Sequence, residues 1–270
     1  TINYSDPSYS GGYPIRSHFI SVMAVEDGQT TVNFSGIKCK YIRKYDGSNV
    51  VLESIDPSDV ITGTLSKGQS YVIGVNLHAN QFKNESIQVR NGMNGTHITS
   101  TQKIVVNCGS WTAGAKPSQD IGFDQIVPVD QVRDKYIVMK GEGKAEPDPT
   151  AYYAGQERII VVASHANTEV WVNGNNKGTL ANAGDFIILD DIVNPKALPT
   201  LYIDTKGKDV YVYQTMCGTN QDWTNIGLNF IPPLTGLGIK EVVIPQANYI
   251  TTGAGGLINP TVTVLSQKNV

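Results

Sequence analysis

The chain has 270 residues, 40% of them hydrophobic and 17% charged, with a formal net charge of -3. That length suits one large β domain or two ordinary ones, and the acidic balance offers no basic face to a nucleic-acid backbone. The longest uninterrupted apolar stretch, Ile159 to Ala163, is far short of the ~20 residues a membrane helix needs, so no membrane insertion is expected.

Thr1 opens the chain with no charged and apolar leader before it, so the sequence reads as a piece of a longer protein rather than an intact secretory precursor. Val, Ile and Thr are abundant, Leu is scarce, and there are 27 Gly and 13 Tyr. Branched side chains, restricted at χ1, suit a pleated surface. No window carries apolar residues at i, i+3, i+4 and i+7 over three turns. The expectation is an all-β chain of tandem β-sandwich-like repeat units with hairpin insertions and little or no helix.

In chain order, residues 1–14 are a lead-in, 15–116 a first β unit, 117–226 a second, and 227–270 the start of a third. The first unit opens with Ile20–Asn33, an apolar run, a turn at Asp27-Gly28, and an alternation that puts Thr30, Val32 and Phe34 on one face. An insertion, KCKYIRKYDGSNVVLESI, reads as two strands around Asp46-Gly47. Gly63-Thr64-Leu65 then leads through Lys67-Gly68 into Ser70–Ile73, Asn94-Gly95 marks a turn, and Lys103–Gly109 a further strand.

The second unit repeats this order. Ile160–Asn173 matches Ile20–Asn33, with a turn at Ala166-Asn167 and with Val170 and Val172 sharing a face. Asn173-Gly174 replaces the insertion with a tight hairpin. Gly178-Thr179-Leu180 leads through Ala183-Gly184 into Asp185–Leu189, and Asp209–Gly218 answers Lys103–Gly109, setting Cys217-Gly218 against Cys108-Gly109. Phe230–Pro233 answers Ile126–Val129, and Lys240–Val243 answers Lys135–Val138. A unit of ~110 residues is too long for a solenoid and suits a sandwich. Pro128 and Pro232 belong at strand edges or bulges, since proline cannot donate to a central ladder.

Catalytic chemistry is hard to assemble from these residues. Cys39, Cys108 and Cys217 form no CxxC and no Cys/His pair; they are either three small buried thiols or one disulfide, Cys39 to Cys108, with a free thiol. His18, His78, His97 and His165 are scattered without metal-ligand spacing. No nucleophile elbow, P-loop or dinucleotide fingerprint is present, and Gly141-Glu142-Gly143 lacks the helix that phosphate binding needs. A glycoside hydrolase would need two carboxyl groups roughly 5–10 Å apart in a cleft. Asp190 and Asp191 are adjacent on a strand and face opposite ways, while Glu142, Glu146 and Asp148 fall in a solvated loop. The chain is therefore read as no enzyme. No cofactor is expected; if an ion binds, it is calcium, held by loop oxygens at Asp120 and Asp124, with Asp46-Gly47-Ser48-Asn49 second.

Aromatic residues are the remaining resource. Trp111 and Trp223 occupy related places after the Cys-Gly strand ends, as plugs between units or as platforms for sugar rings or a partner protein. As buried plugs, each would cost ~3–5 kcal/mol on truncation to Ala. Tyr152-Tyr153 is a second aromatic contact candidate, and Tyr4, Tyr9 and Tyr13 resemble it more weakly.

SQDIGFDQIVPV followed by DKYIVMKGEG, TNIGLNFIPPLTGLG, and ERIIVVASHANTEVWVNG with GTLANAGDFIIL together resemble IgGFc-binding-protein N-terminal-like domains over most of residues 18–245. The form is similar to that in very large cell-surface gliding adhesins of Bacteroidetes exported by the type IX system. It departs from the mucin-associated form, which carries more cysteines, including one beside the segment where this chain has Phe123. IgG binding is therefore not carried over. The resemblance implies an extracellular all-β module, part of a longer chain at the cell surface, that serves adhesion and gliding motility as a stalk or contact surface. Its partners would be a surface polysaccharide, a protein ligand or neighbouring domains of the same chain. A carbohydrate-binding or carbohydrate-active β-sandwich is the alternative.

Overall fold

The computed structural model describes residues 18–46, 49–75, 92–113, 120–139, 158–189, 200–217, 226–234 and 241. The chain divides into two units, Thr1–Leu237 and Gly238–Val270, and the account below concerns the first. It is all-β, as the composition predicts, with one short 3-10 turn among the described residues, at Val129–Gln131. Of the third copy expected from residue 227 onward, the strand Ile226–Phe230 instead joins the second lobe by pairing with Val210–Cys217, and most of the remainder lies outside the described residues.

The first lobe opens with β1 (His18–Ala24) and β2 (Gln29–Ser35), whose strict alternation buries Val22, Ala24, Val32 and Phe34. The insertion forms the hairpin β3 (Tyr41–Asp46) and β4 (Asn49–Ser54), as its turn residues predict. β5 (Ile61–Ser66), β6 (Ser70–Val75), β7 (His97–Ser100), β8 (Ile104–Ala113) and β9 (Asp120–Gln125) follow. They form a six-stranded sheet, β4-β3-β6-β1-β8-β9, and a three-stranded sheet, β5-β2-β7. The core between them holds Val22, Phe34, Ile42 and Ile73, each at 0% exposure.

The second lobe comprises β10 (Lys135–Met139), β11 (Arg158–Ala163), β12 (Thr168–Val172), β13 (Asn175–Leu180), β14 (Phe186–Leu189), β15 (Thr200–Asp204), β16 (Val210–Cys217) and β17 (Ile226–Phe230). Its sheets run β14-β11-β16-β17 and β10-β15-β12-β13. The hairpin β12–β13 turns through Asn173 at φ 48 and Gly174 at φ 81, the paired positive φ values that a two-residue turn demands. Tyr136 is wholly buried; its hydroxyl accepts from the Arg133 amide at 3.1 Å and donates to the Val210 carbonyl at 2.5 Å. It thereby ties β10 to the start of β16.

The lobes are copies at the level of single hydrogen bonds. Gly68 donates to Ala24 and Gly184 to Ala163; Ala24 donates to Gln69 and Ala163 to Asp185. The Gln69 side chain accepts from Ser66, and the Asp185 side chain from Asn182. The copy order matches the sequence reading, but the register differs. Ile20 pairs with Cys108 and Ile159 with Gln214, so Cys108 corresponds to Gln214 and not to Cys217. Thr30 and Thr168, each at 0% exposure, pair with Leu65 and Leu180, which aligns Val32 with Val170 and not with Val172. Ile126 and Ile231 both cap their sheets by donating to Val106 and Val212. β9, grouped with the second unit by the sequence division, is hydrogen-bonded to β8 of the first lobe. Pro128 and Pro232 both follow a strand end, outside any ladder, as the missing proline amide requires.

Candidate functional site

Few of the residues singled out from the sequence come together. Trp223, Tyr152, Tyr153, Glu142, Glu146, Asp148, Asp190 and Asp191 lie outside the described residues. The backbone of Trp111 lies on β8, with its side chain outside the described set; in the structural register its counterpart is Cys217 rather than Trp223. Asp120 and Asp124 both lie on β9. The side chain of Asp120 lies outside the described set. The Asp124 carboxylate is engaged, accepting from the Phe230 amide at 3.1 Å and from the Gln125 amide at 2.8 Å. Among the described residues no group of three His, Cys, Asp or Glu is placed to hold a metal. Cys39 and Cys108 are both free thiols rather than a disulfide, and burial pushes each up to about 12.

Two features stand out instead. The first is the seam between the lobes. Lys38 Nζ meets Asp185 Oδ1 at 2.8 Å. Asp124 on the β9 edge accepts the outward amide of Phe230 on the β17 edge. Beside it, the Phe230 ring meets the Tyr213 ring edge-on at 5.7 Å. Gly95 and Gly184 touch backbone to backbone.

The second feature is a difference between equivalent sheet faces. In the first lobe the outer face of β5-β2-β7 carries Thr31, Asn33, Thr62, Thr64, His97 and Thr99, and Thr62 donates to Asn33 at 2.8 Å. In the second lobe the position of Asn33 is taken by Trp171 and that of His97 by Tyr202. Alternation buries Val170 and Val172 and leaves Glu169 and Trp171 outward. Across the face, Trp171 lies opposite Asp204, which lies opposite Lys135; Tyr202 lies opposite Ile137. The sequence reading passed over Trp171, although the alternation it assigned to Val170 and Val172 already placed the indole outward.

Trp171 is held in position. Its indole Nε1 donates to Glu169 Oε2 at 2.8 Å, and the Lys206 ammonium lies 5.0 Å from the ring centroid. Lys206 in turn donates to Asp204 through both its amide, at 2.8 Å, and its ammonium, at 3.1 Å. Partial burial resists ionisation of Asp204, but these bonds and the charges of Lys206 and Lys135 hold it below the usual carboxylate range. The carboxylates of Glu169 and Asp204 thus balance the ammoniums of Lys135 and Lys206.

Such an arrangement offers contact chemistry: a half-buried indole, a phenol at 38% exposure, and hydrogen-bonding groups around them. Among the described residues no helix is long and apolar enough to cross a membrane. A search of curated proteins finds no match to this chain. The family model described as IgGFc binding protein matches residues 2–268, nearly the whole sequence, and the chain belongs to that family.

Proposed function

We propose that the chain is a non-enzymatic module of a large bacterial cell-surface adhesin, serving attachment and gliding as stalk or contact surface outside the cell. The observation that carries this reading is the seam. Two copies of one sandwich meet through an ion pair, an edge amide capped by Asp124, and a glycine–glycine backbone contact. Such a junction couples the lobes more tightly than a flexible linker does and suits a stalk under drag. The family's name supports a protein ligand among the partners considered, with immunoglobulin a probe rather than an assigned ligand. No hydrolytic turnover is expected, and replacing Glu142, Asp190 or Asp191 by Ala changes none.

The test is retention under flow of beads coated with the purified chain on agar, on cellulose film and on immunoglobulin-coated glass. Retention above that of albumin-coated beads on any of these supports the reading; equality with albumin on all three sinks it. The Trp171–Tyr202 face favours one refinement of the contact role, a lectin-like surface.

A further inference from the structure

We propose that the outer face of the β10-β15-β12-β13 sheet binds a neutral polysaccharide chain across Trp171 and Tyr202. The inference rests on the adhesion reading and names its ligand class.

Trp171 and Tyr202 stand on adjacent strands, offset by two residues, since Trp171 lies opposite Asp204. Diagonal neighbours of this kind lie ~7–8 Å apart, with β-carbons somewhat closer, within reach of adjacent rings of one sugar chain. Both project from the solvent side of a sheet whose other side is the sandwich core. Sugar rings present C–H groups on their flat faces and hydroxyls at their rims. An aromatic face with its negative quadrupole meets the former, and carboxylates and ammoniums meet the latter.

The charges around the two rings are paired, which favours a neutral chain, and Lys177 on β13 is the sheet's remaining exposed charge. Glu169 is engaged by the indole N–H, and Asp204 by Lys206. With Lys135 opposite Asp204, no surplus positive charge remains among these groups to draw a phosphate, sulfate or uronate. The indole is fixed by Glu169, two residues back on its own strand, and by Lys206 over one ring face, so stacking on the other face costs little further ordering.

The first lobe is an internal comparison. The same sheet folds there with Asn33 and His97 at the positions of Trp171 and Tyr202, and its outer face carries hydroxyls and amides that bond to one another. The sandwich therefore does not require aromatic rings at these places.

The experiment is affinity electrophoresis of the whole 270-residue chain in gels containing laminarin, hydroxyethylcellulose or dextran, with heparin and polygalacturonate as charged comparators. Trp171→Ala, Tyr202→Ala and, on the first lobe, Asn33→Ala are run alongside, each checked for an unchanged melting profile. Retardation by at least one neutral glycan, weakened about tenfold or more by Trp171→Ala and Tyr202→Ala but not by Asn33→Ala, is the expected result. Retardation by none of the neutral gels, by the charged gels alone, or equally in Trp171→Ala overturns the proposal.

Bead adhesion separates this proposal from the broader reading. If wild-type beads adhere and Trp171→Ala beads adhere equally, the face is wrong and the adhesin reading stands. If wild-type beads do not adhere at all, the adhesin reading itself fails. Adhesion lost in Trp171→Ala yet insensitive to periodate oxidation of the substratum identifies a protein partner and overturns the glycan.

Discussion

The carbonyl oxygen of Gly184 lies 1.9 Å from the point where a β-carbon on Gly95 would stand, and a β-carbon on Gly184 would lie 2.6 Å from the Gly95 carbonyl oxygen. Both residues have positive φ, 80° and 82°. Neither position accepts a side chain while the lobes keep this contact, so the seam is specified by two residues with no side chain at all.

The first lobe supplies the control for this contact. Gly68 occupies the same turn as Gly184, at φ 79°, with nothing within 4 Å of its would-be β-carbon. Gly68→Ala bears only the left-handed backbone strain, ~1–2 kcal/mol; Gly184→Ala bears that strain and the clash. Urea unfolding is expected to show the larger loss for Gly184→Ala, with a separate second-lobe transition emerging. Equal losses would show that the contact contributes nothing.

Asp124 is expected to act as an edge cap. Its carboxylate accepts the Phe230 amide across the seam, and the edge of a sheet leaves such amides without strand partners. Asp124→Asn keeps an acceptor and should be close to neutral, whereas Asp124→Ala should cost ~1 kcal/mol. Hydrogen exchange at the Phe230 amide reads this directly: it accelerates in Asp124→Ala and stays slow in Asp124→Asn. Unchanged exchange in both variants would remove Asp124 from the seam.

The Lys38–Asp185 pair makes the seam sensitive to acid. Burial opposes ionisation of Asp185, but hydrogen bonds from Lys38 and Asn182, with the Lys38 charge, hold it below the usual carboxylate range. An unfolded Asp titrates near 3.9. The pair's contribution is therefore present above about pH 4 and is lost as pH falls through the lower folded value. Lys38→Met should flatten this part of the stability–pH curve relative to wild type. The effect is small, because both side chains are partly solvated, at 38% and 25% exposure.

Cys39 and Cys108 should be inert at neutral pH. With both thiols pushed up to about 12, almost no thiolate exists to attack an alkylating agent. Peptide mapping after iodoacetamide should find both unmodified in the native chain and modified in guanidinium. An unfolded thiol ionises near 8.5, so stability should fall as pH rises from about 8.5 toward 12. Fast native labelling of either residue would contradict the buried, unbridged state.

Much of the fold was legible because its signals are local. Asn173-Gly174 and Asp46-Gly47 name their hairpins, and the alternation through Thr30, Val32 and Phe34 names the buried face. The repeat was legible for the same reason, but its register was not. Matching letters set Cys108 against Cys217 and Val32 against Val172, whereas strand pairing sets them against Gln214 and Val170. A shift of two keeps a residue on its face, so the Val32 error was harmless. A shift of three turns Cys108 over, and the same register sets Trp111 against Cys217.

Composition and turn chemistry alone thus determined an all-β chain of repeated sandwiches, since strands and hairpins are fixed by residues close in sequence. The tertiary structure decided what meets across the repeats: Gly95 with Gly184, Asp124 with Phe230, Lys38 with Asp185. It also set the ring of Trp171 under Lys206 and diagonal to Tyr202 on one outer face. Those partners are far apart in the chain, and the local periodicity that shapes each strand carries no information about which distant strand will lie beside it.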